Sequence, residues 1–311
     1  MSAGTDGDDA APVPPAELHA RVRAAGRRAR ASGALVPLDT RVRLVPDGGI
    51  TFLVRVSQNV ARKEAAATSS DAAPPADPFM PPYDPDLYVG DVSATHAALL
   101  NKYNVLDDHV LLVTRAWAEQ TAMLDSADFE AMLLGLAGID GLAFYNGGTE
   151  AGASQPHKHL QVVPLPLAPE GPALPIADAF AHARLGDQVG HVPALPFRHA
   201  LTRVQPAWLA DPATHARDAR AAAAALWRAL GHDPGAAYQP VPYNLLATRR
   251  WMWLVPRRLE RWEGLPVNAL AFAGALLAGD EAAFGRLCAA GPMAALAATG
   301  EPADEADPPL R

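Results

Sequence analysis

The chain has 311 residues, half of them hydrophobic, which is enough to build a substantial core in one large domain or two small ones. A formal charge of −8 excludes nucleic acid and anionic membrane as the main partner, while leaving room for a locally positive pocket that takes a small anion. The single cysteine, Cys288, excludes an intramolecular disulfide and a cysteine-built zinc cluster; its Ala-rich setting predicts a small buried apolar residue.

Residues 1–12 are acidic and polar, lack the basic and apolar regions of a secretion signal, and are expected to be disordered. No run reaches the length of a membrane span, so the expectation is a soluble, cytoplasmic protein. Residues 18–31 read as an Arg-rich amphipathic helix. Residues 41–45 and 50–56 alternate around Pro46-Asp-Gly-Gly49, a hairpin signal. Residues 65–82, rich in Ala, Pro and Ser, predict a long surface loop just after Lys63. Residues 105–106 and 110–114 are strand-like around Asp107-Asp-His109, and a capped helix follows over 125–137. Two strands, from Leu142 to Tyr145 and through Val163, flank a glycine-rich loop. A proline-rich crossing over 164–175 leads to an Ala/Arg helix over 212–230. Short strands over 243–247 and 251–255 join at Thr248-Arg-Arg250; helices over 267–278 and 281–290 follow, Gly279 ending the first. The tail over 301–311 is expected to be disordered. Hairpins rather than βαβ units make 13–300 a single α+β domain around an antiparallel sheet with flanking helices. No heptad or apolar patch marks a dimer, so a monomer is expected.

The chemistry concentrates in Tyr145-Asn-Gly-Gly-Thr-Glu-Ala-Gly-Ala-Ser-Gln-Pro-His-Lys-His-Leu-Gln161. On a strand, His157, His159 and Gln161 share one face, and Lys158, Leu160 and Val162 the other. The loop before them carries backbone that can approach a ligand closely, a phosphate-binding arrangement. His-x-His then has three meanings. It is a structural pair, a zinc site completed by one of His96, His109, His191 or His199, or a nucleophile with its support. In the third, His159 attacks phosphorus through one ring nitrogen while the other donates to a backbone carbonyl. Lysine occurs only at 63, 102 and 158 among many arginines, which suggests positions needing a compact ammonium; Lys158, on the opposite face, should matter least.

His157-Lys-His-Leu-Gln161 resembles the histidine-triad motif in its transferase form, with Gln as the last member. The wider stretch is similar to the diadenosine tetraphosphate phosphorylases (ATP adenylyltransferases). So are Phe79-Met-Pro-Pro-Tyr-Asp-Pro-Asp86, Leu100-Asn-Lys-Tyr-Asn-Val105 with Val110-Leu-Leu-Val-Thr114, and Tyr243-Asn-Leu-Leu-Ala-Thr248 through Val255-Pro-Arg257 to Val267-Asn-Ala-Leu270. The resemblance covers about residues 40 to 280 in order. It implies a histidine-triad-like fold and phosphorolysis of diadenosine tetraphosphate to ATP and ADP through an adenylyl-histidine. His159 would be the nucleophile and Gln161 a donor to the α-phosphate. Lys63, Asn101, Lys102, Asn146, Gly152, Ala153, Ser154, Gln155 and His157 would bind nucleotide and polyphosphate, with Thr248, Arg249 and Arg257 completing the grip. No tightly bound cofactor is implied beyond a divalent cation (Mg) travelling with the polyphosphate. Three rivals remain: a nucleotidyltransferase of the galactose-1-phosphate uridylyltransferase kind, a metal-dependent hydrolase, and a non-catalytic dinucleotide-binding regulator. The first is disfavoured by the single cysteine.

Overall fold

The computed structural model describes residues 11–57 and 77–303, so Lys63 and most of the expected 65–82 loop lie outside the described residues. The elements, in order, are α1 (Pro15–Ser32), β1 (Arg41–Asp47), β2 (Ile50–Val56), β3 (Tyr88–Asp91), β4 (His96–Leu100), β5 (Val110–Thr114), α2 (Ser126–Gly138), β6 (Gly141–Gly147) and β7 (His159–Pro164). Then come α3 (Ala177–Phe180), β8 (Arg184–Leu185), β9 (Gly190–His191), β10 (Ala200–Arg203), α4 (Pro206–Ala210), α5 (Pro212–Ala229), β11 (Tyr243–Ala247) and β12 (Trp251–Pro256). The chain closes with β13 (Arg261–Trp262), β14 (Leu265–Pro266), α6 (Ala269–Phe272), β15 (Ala275–Ala278), α7 (Glu281–Ala290) and α8 (Pro292–Thr299).

Ten strands form one sheet in the order β3-β4-β5-β7-β6-β11-β12-β10-β9-β8, and every pairing in it is antiparallel. Alternation along each strand sorts side chains to two faces. Leu112, Leu160, Val162, Ala143, Tyr145, Leu245 and Met252 pack under α1, α2 and α5. Leu142, Phe144, Val163, Leu246 and Trp253 pack under the three-stranded sheet β1-β2-β15 and the C-terminal helices. That second layer stops short of β5. There Phe79 covers Ala97, Leu99, Leu111 and Val113 in a separate small cluster. Strand β7 runs between β5 and β6, at the seam of the two apolar clusters. On this face Val163 joins the larger cluster, while His159 meets Phe79 of the smaller one.

The hairpin turn at Gly48 and Gly49 has positive φ at both positions, as the sequence signal required. Helix α2 begins at Asp125, whose carboxylate accepts from the Ala127 and Asp128 amides in a capping box. The stretch over 267–278 is not one helix. Asn268 caps a single turn, α6, and Gly274 at φ +93° redirects the chain into β15, parallel to β2. Its alanines and leucines fit either state, and pairing with β2 decides. Residues 105–106 form no strand, whereas β3 and β4, unmarked in sequence, complete the sheet edge. Cys288 is exposed on α7, not buried. Glu301 and Pro302 are held, not loose: the Arg198 amide donates to the Glu301 carbonyl, the two side chains pair at 3.0 Å, and Pro302 bridges Phe197. No single described helix is long and apolar enough to cross a membrane.

Candidate active site

Strand β7 presents His159 and Gln161 on one face, both buried, and the residues around them leave each with one defined job. The His159 amide donates to Gln120 Oε1 at 2.8 Å, and Gln120 Nε2 returns bonds to the carbonyls of Asn146 and His159. Gln120 thus locks the strand start to the end of β6. His159 Nδ1–H donates to the His157 carbonyl at 2.8 Å, which commits that nitrogen and leaves Nε2 with its lone pair. Phe79 lies over the ring at 4.9 Å. Burial pushes the His159 pKa down to about 4, the bond to His157 only partly offsetting it, so the ring is neutral and nucleophilic at pH 7.

The preceding histidine is a strut. His157 Nδ1–H donates to Asp77 Oδ2 at 2.6 Å, and the Thr114 hydroxyl lies 2.8 Å from Nε2. Asp77 Oδ1 accepts from the Phe79 amide, so the same carboxylate that grips His157 also sets the ring covering His159.

Gln161 is oriented from behind. His109 Nε2 lies 2.9 Å from Gln161 Oε1, and His109 Nδ1 lies 3.2 Å from Asn101 Nδ2. With Asn101 donating, His109 Nδ1 is an acceptor and Nε2–H must donate, so the Gln161 oxygen is occupied. Its NH2 is left as the group free to donate. A fixed pair of amide hydrogens beside a neutral imidazole suits a group that gains negative charge at phosphorus.

The glycine loop stands before His157. Gly152 takes φ +94°, and a Cβ there would meet Asn268 Cβ at 2.6 Å, so the turn closes against α6 only with glycine. Ala153 N bonds to the Gly148 carbonyl. Ser154 is exposed and Gln155 half-buried, and neither has a hydrogen-bond partner among the described residues.

Residues 8–182 match the Ap4A phosphorylase N-terminal domain. The chain belongs to the Ap4A phosphorylase family. Residues 193–302 match its companion, the ATP adenylyltransferase C-terminal domain. The two matched segments share the main sheet, since β6 of the first pairs with β11 of the second. A curated relative, diadenosine 5',5'''-P1,P4-tetraphosphate phosphorylase 2 of Saccharomyces cerevisiae, is 31% identical over 134 residues, 39% of this chain and 41% of that protein. The aligned stretch therefore spans less than half of that relative. The crystal structure of yeast Ap4A phosphorylase Apa2 superposes with a TM-score of 0.76 at 21% identity, covering 96% of this chain and 98% of that one. The same yeast protein in complex with Ap4A gives 0.76 at 21% identity, over 93% and 99%. At that identity the likeness shows the fold.

Of the residues expected at a family site, the structure bonds His159 to His157 and, through His109, Gln161 to Asn101, both sets on or beside β7, with Gly152, Ala153, Ser154 and Gln155 in the loop entering it. Lys102 is exposed beside the cluster, its ammonium 5.8 Å from the Tyr103 ring centroid. Asn146 and Arg257 support the loop. Asn146 Oδ1 accepts from Asn244 and from the Ala269 amide. Asn244 also holds the Ala151 carbonyl and accepts from Arg257. The Arg257 guanidinium is buried and further donates to the carbonyls of Thr299, Leu259 and Val267, burial lowering its pKa to about 9. Thr248 and Arg249 are not at the cluster, which corrects the expected polyphosphate grip. They follow Ala247, paired with Ala143, whereas the loop begins at Gly147, paired with Tyr243 at the other end of β11. The Thr248 hydroxyl caps the turn to Trp251, and Arg249 donates to the Leu136 and Ala137 carbonyls at the end of α2.

Among the described residues no three His, Cys, Asp or Glu converge as metal ligands. His96 is buried against Asp128, and His199 is engaged by Val192 and Phe197. Sequence reading missed Asp77, Thr114 and Gln120. It also took His109 only as a candidate ligand, although its place opening β5 beside the motif strand was the available signal.

Proposed function

We propose that this chain catalyses phosphorolysis of diadenosine tetraphosphate to ATP and ADP, and the reverse, by double displacement at His159. His159 Nε2 attacks the α-phosphorus, the bond from that phosphorus to the bridging oxygen breaks, and ATP leaves with the electron pair. A phosphate oxygen then attacks the adenylyl group, the P–N bond returns its electrons to Nε2, and ADP leaves. The proton stays on Nδ1, donated to the His157 carbonyl throughout. What supports this reading is the commitment of His159 Nδ1 to that carbonyl together with His109 engaging the Gln161 oxygen, which leaves the Gln161 NH2 to donate. Polyphosphate and phosphate leave without being protonated, so a residue that donates hydrogen bonds but transfers no proton suffices at 161. The loop amides and Ser154 would hold the departing phosphates, and Lys63 and Lys102 would add positive charge.

In this reading the partners are dinucleoside polyphosphate, ATP, ADP and phosphate, and the enzyme works as a cytoplasmic monomer. It needs no tightly bound cofactor; a magnesium ion enters with the polyphosphate as part of the substrate. Product analysis with diadenosine tetraphosphate tests the reading: ATP and ADP should form only when phosphate is present. Equal release of AMP and ATP without phosphate would make the chain a hydrolase and refute the role given to Gln161.

A further inference from the structure

Trp117 is 52% exposed, while Trp208, Trp227, Trp251 and Trp253 are buried. It stands where β5 leaves its pairing with β7, and its backbone is held on both sides. The Arg115 amide donates to the Thr95 carbonyl, the Lys158 amide to the Ala118 carbonyl and the Gln120 amide to the Pro156 carbonyl. Glu119 pairs across from His157, so Trp117, two residues earlier, rises from the same face as His157 and His159. Its ring meets the strut histidine at 5.1 Å and 58°, and about half of the residue's surface stays exposed. An aromatic ring with a fixed backbone and that much exposure is a ready platform for a base.

The cluster has two sides. From His159, Gln161, His109 and Asn101 lie toward the far end of β7. Trp117, Ser154 and Gln155 lie toward its start. Groups leaving along the loop amides pass to the Trp117 side. We infer that Trp117 stacks on the distal adenine, the base of the departing ATP, while the transferred adenylyl half is held on the Gln161 side. This rests on the double displacement proposed above and adds a specificity determinant to it: Trp117 would favour a dinucleotide over a bare polyphosphate.

The test exploits a partial reaction that never uses the distal nucleoside. Exchange of labelled phosphate into ADP needs only the adenylyl half and phosphate. Trp117→Ala should raise KM for diadenosine tetraphosphate roughly 5- to 150-fold, the equivalent of one lost base stack. It should change ADP–phosphate exchange by less than about twofold, and Trp117→Phe should recover most of the lost affinity. In the His159→Ala background, diadenosine tetraphosphate should quench the emission that Trp117→Phe removes, and AMP should not. An unchanged dinucleotide KM in Trp117→Ala, or quenching by AMP as strong as by the dinucleotide, overturns the inference. An equal loss of exchange and phosphorolysis overturns it too, because the ring would then be shaping His157 instead. Wild-type protein without any exchange would instead bring down the reaction scheme, and the quenching comparison would still decide the platform.

Discussion

Replacing His109 with phenylalanine keeps an aromatic ring against Phe144, 5.8 Å away, but deletes the N–H that reaches Gln161 Oε1. The carboxamide then loses a 2.9 Å bond in a buried setting, where an orphaned acceptor costs about 1–3 kcal/mol. Rotated by half a turn to relieve that, the amide would point oxygen instead of NH2 at the phosphorus. Only the native orientation meets the charge that develops in the transition state, so the loss falls on kcat. At 1.36 kcal/mol per tenfold, this corresponds to roughly a 5- to 150-fold slower adenylylation. The assay is single-turnover release of ATP from diadenosine tetraphosphate without phosphate, with dinucleotide affinity measured in parallel. His109→Gln, which restores a donor, should regain part of the rate. In a double-mutant cycle, His109→Phe should add little to the loss already caused by Gln161→Ala. Wild-type turnover in folded His109→Phe, or full additivity with Gln161→Ala, would show that His109 does not set the amide.

The ring pKa of about 4 at His159 places the acid limb of kcat/KM near pH 4, and a limb near 6.5 would contradict the burial of the nucleophile. The same group links to stability: between pH 6.5 and 4 the unfolded ring takes a proton that the folded one refuses. Stability should therefore fall by about 3 kcal/mol as pH drops across that window, and His159→Phe should flatten the fall in urea titrations. Lys158 should prove structurally demanding despite facing away from His159. Its ammonium lies 2.6 Å from Asp128 and 2.9 Å from the Met123 carbonyl. Burial alone would raise the Asp128 carboxyl, but His96 and Lys158 hold it below its usual value. Lys158→Met, leaving that carboxylate uncompensated, should cost about 3–5 kcal/mol in denaturant unfolding. A cost under about 1 kcal/mol would mean the pair contributes nothing.

The motif strand was legible because period-two alternation fixes faces whatever surrounds them: His159 and Gln161 went to one side and Lys158 to the other. Capping and turn chemistry likewise marked α2 and the β1–β2 hairpin, both set by local sequence. Long-range pairing was less visible. Ala275–Ala278 became a strand because β2 offered a parallel edge, which no local pattern records. The support of the site was hidden for the same reason. Asp77 reaches His157 across 80 residues, and Arg257 reaches Ala151 across 106. Thr248 and Arg249 looked like phosphate ligands by type and by their place in the family pattern, yet strand register carries them to the wrong end of β11.

The central claim is a covalent bond between phosphorus and one ring nitrogen. Incubating the protein with diadenosine tetraphosphate labelled in an α-phosphate, without inorganic phosphate, and mapping acid-labile label by peptide mass spectrometry tests it most directly. One adenylyl group on the peptide containing His159, discharged as ADP when phosphate is added and absent in His159→Ala, is the predicted result. Turnover with no labelled peptide, or label that persists in His159→Ala, would contradict it.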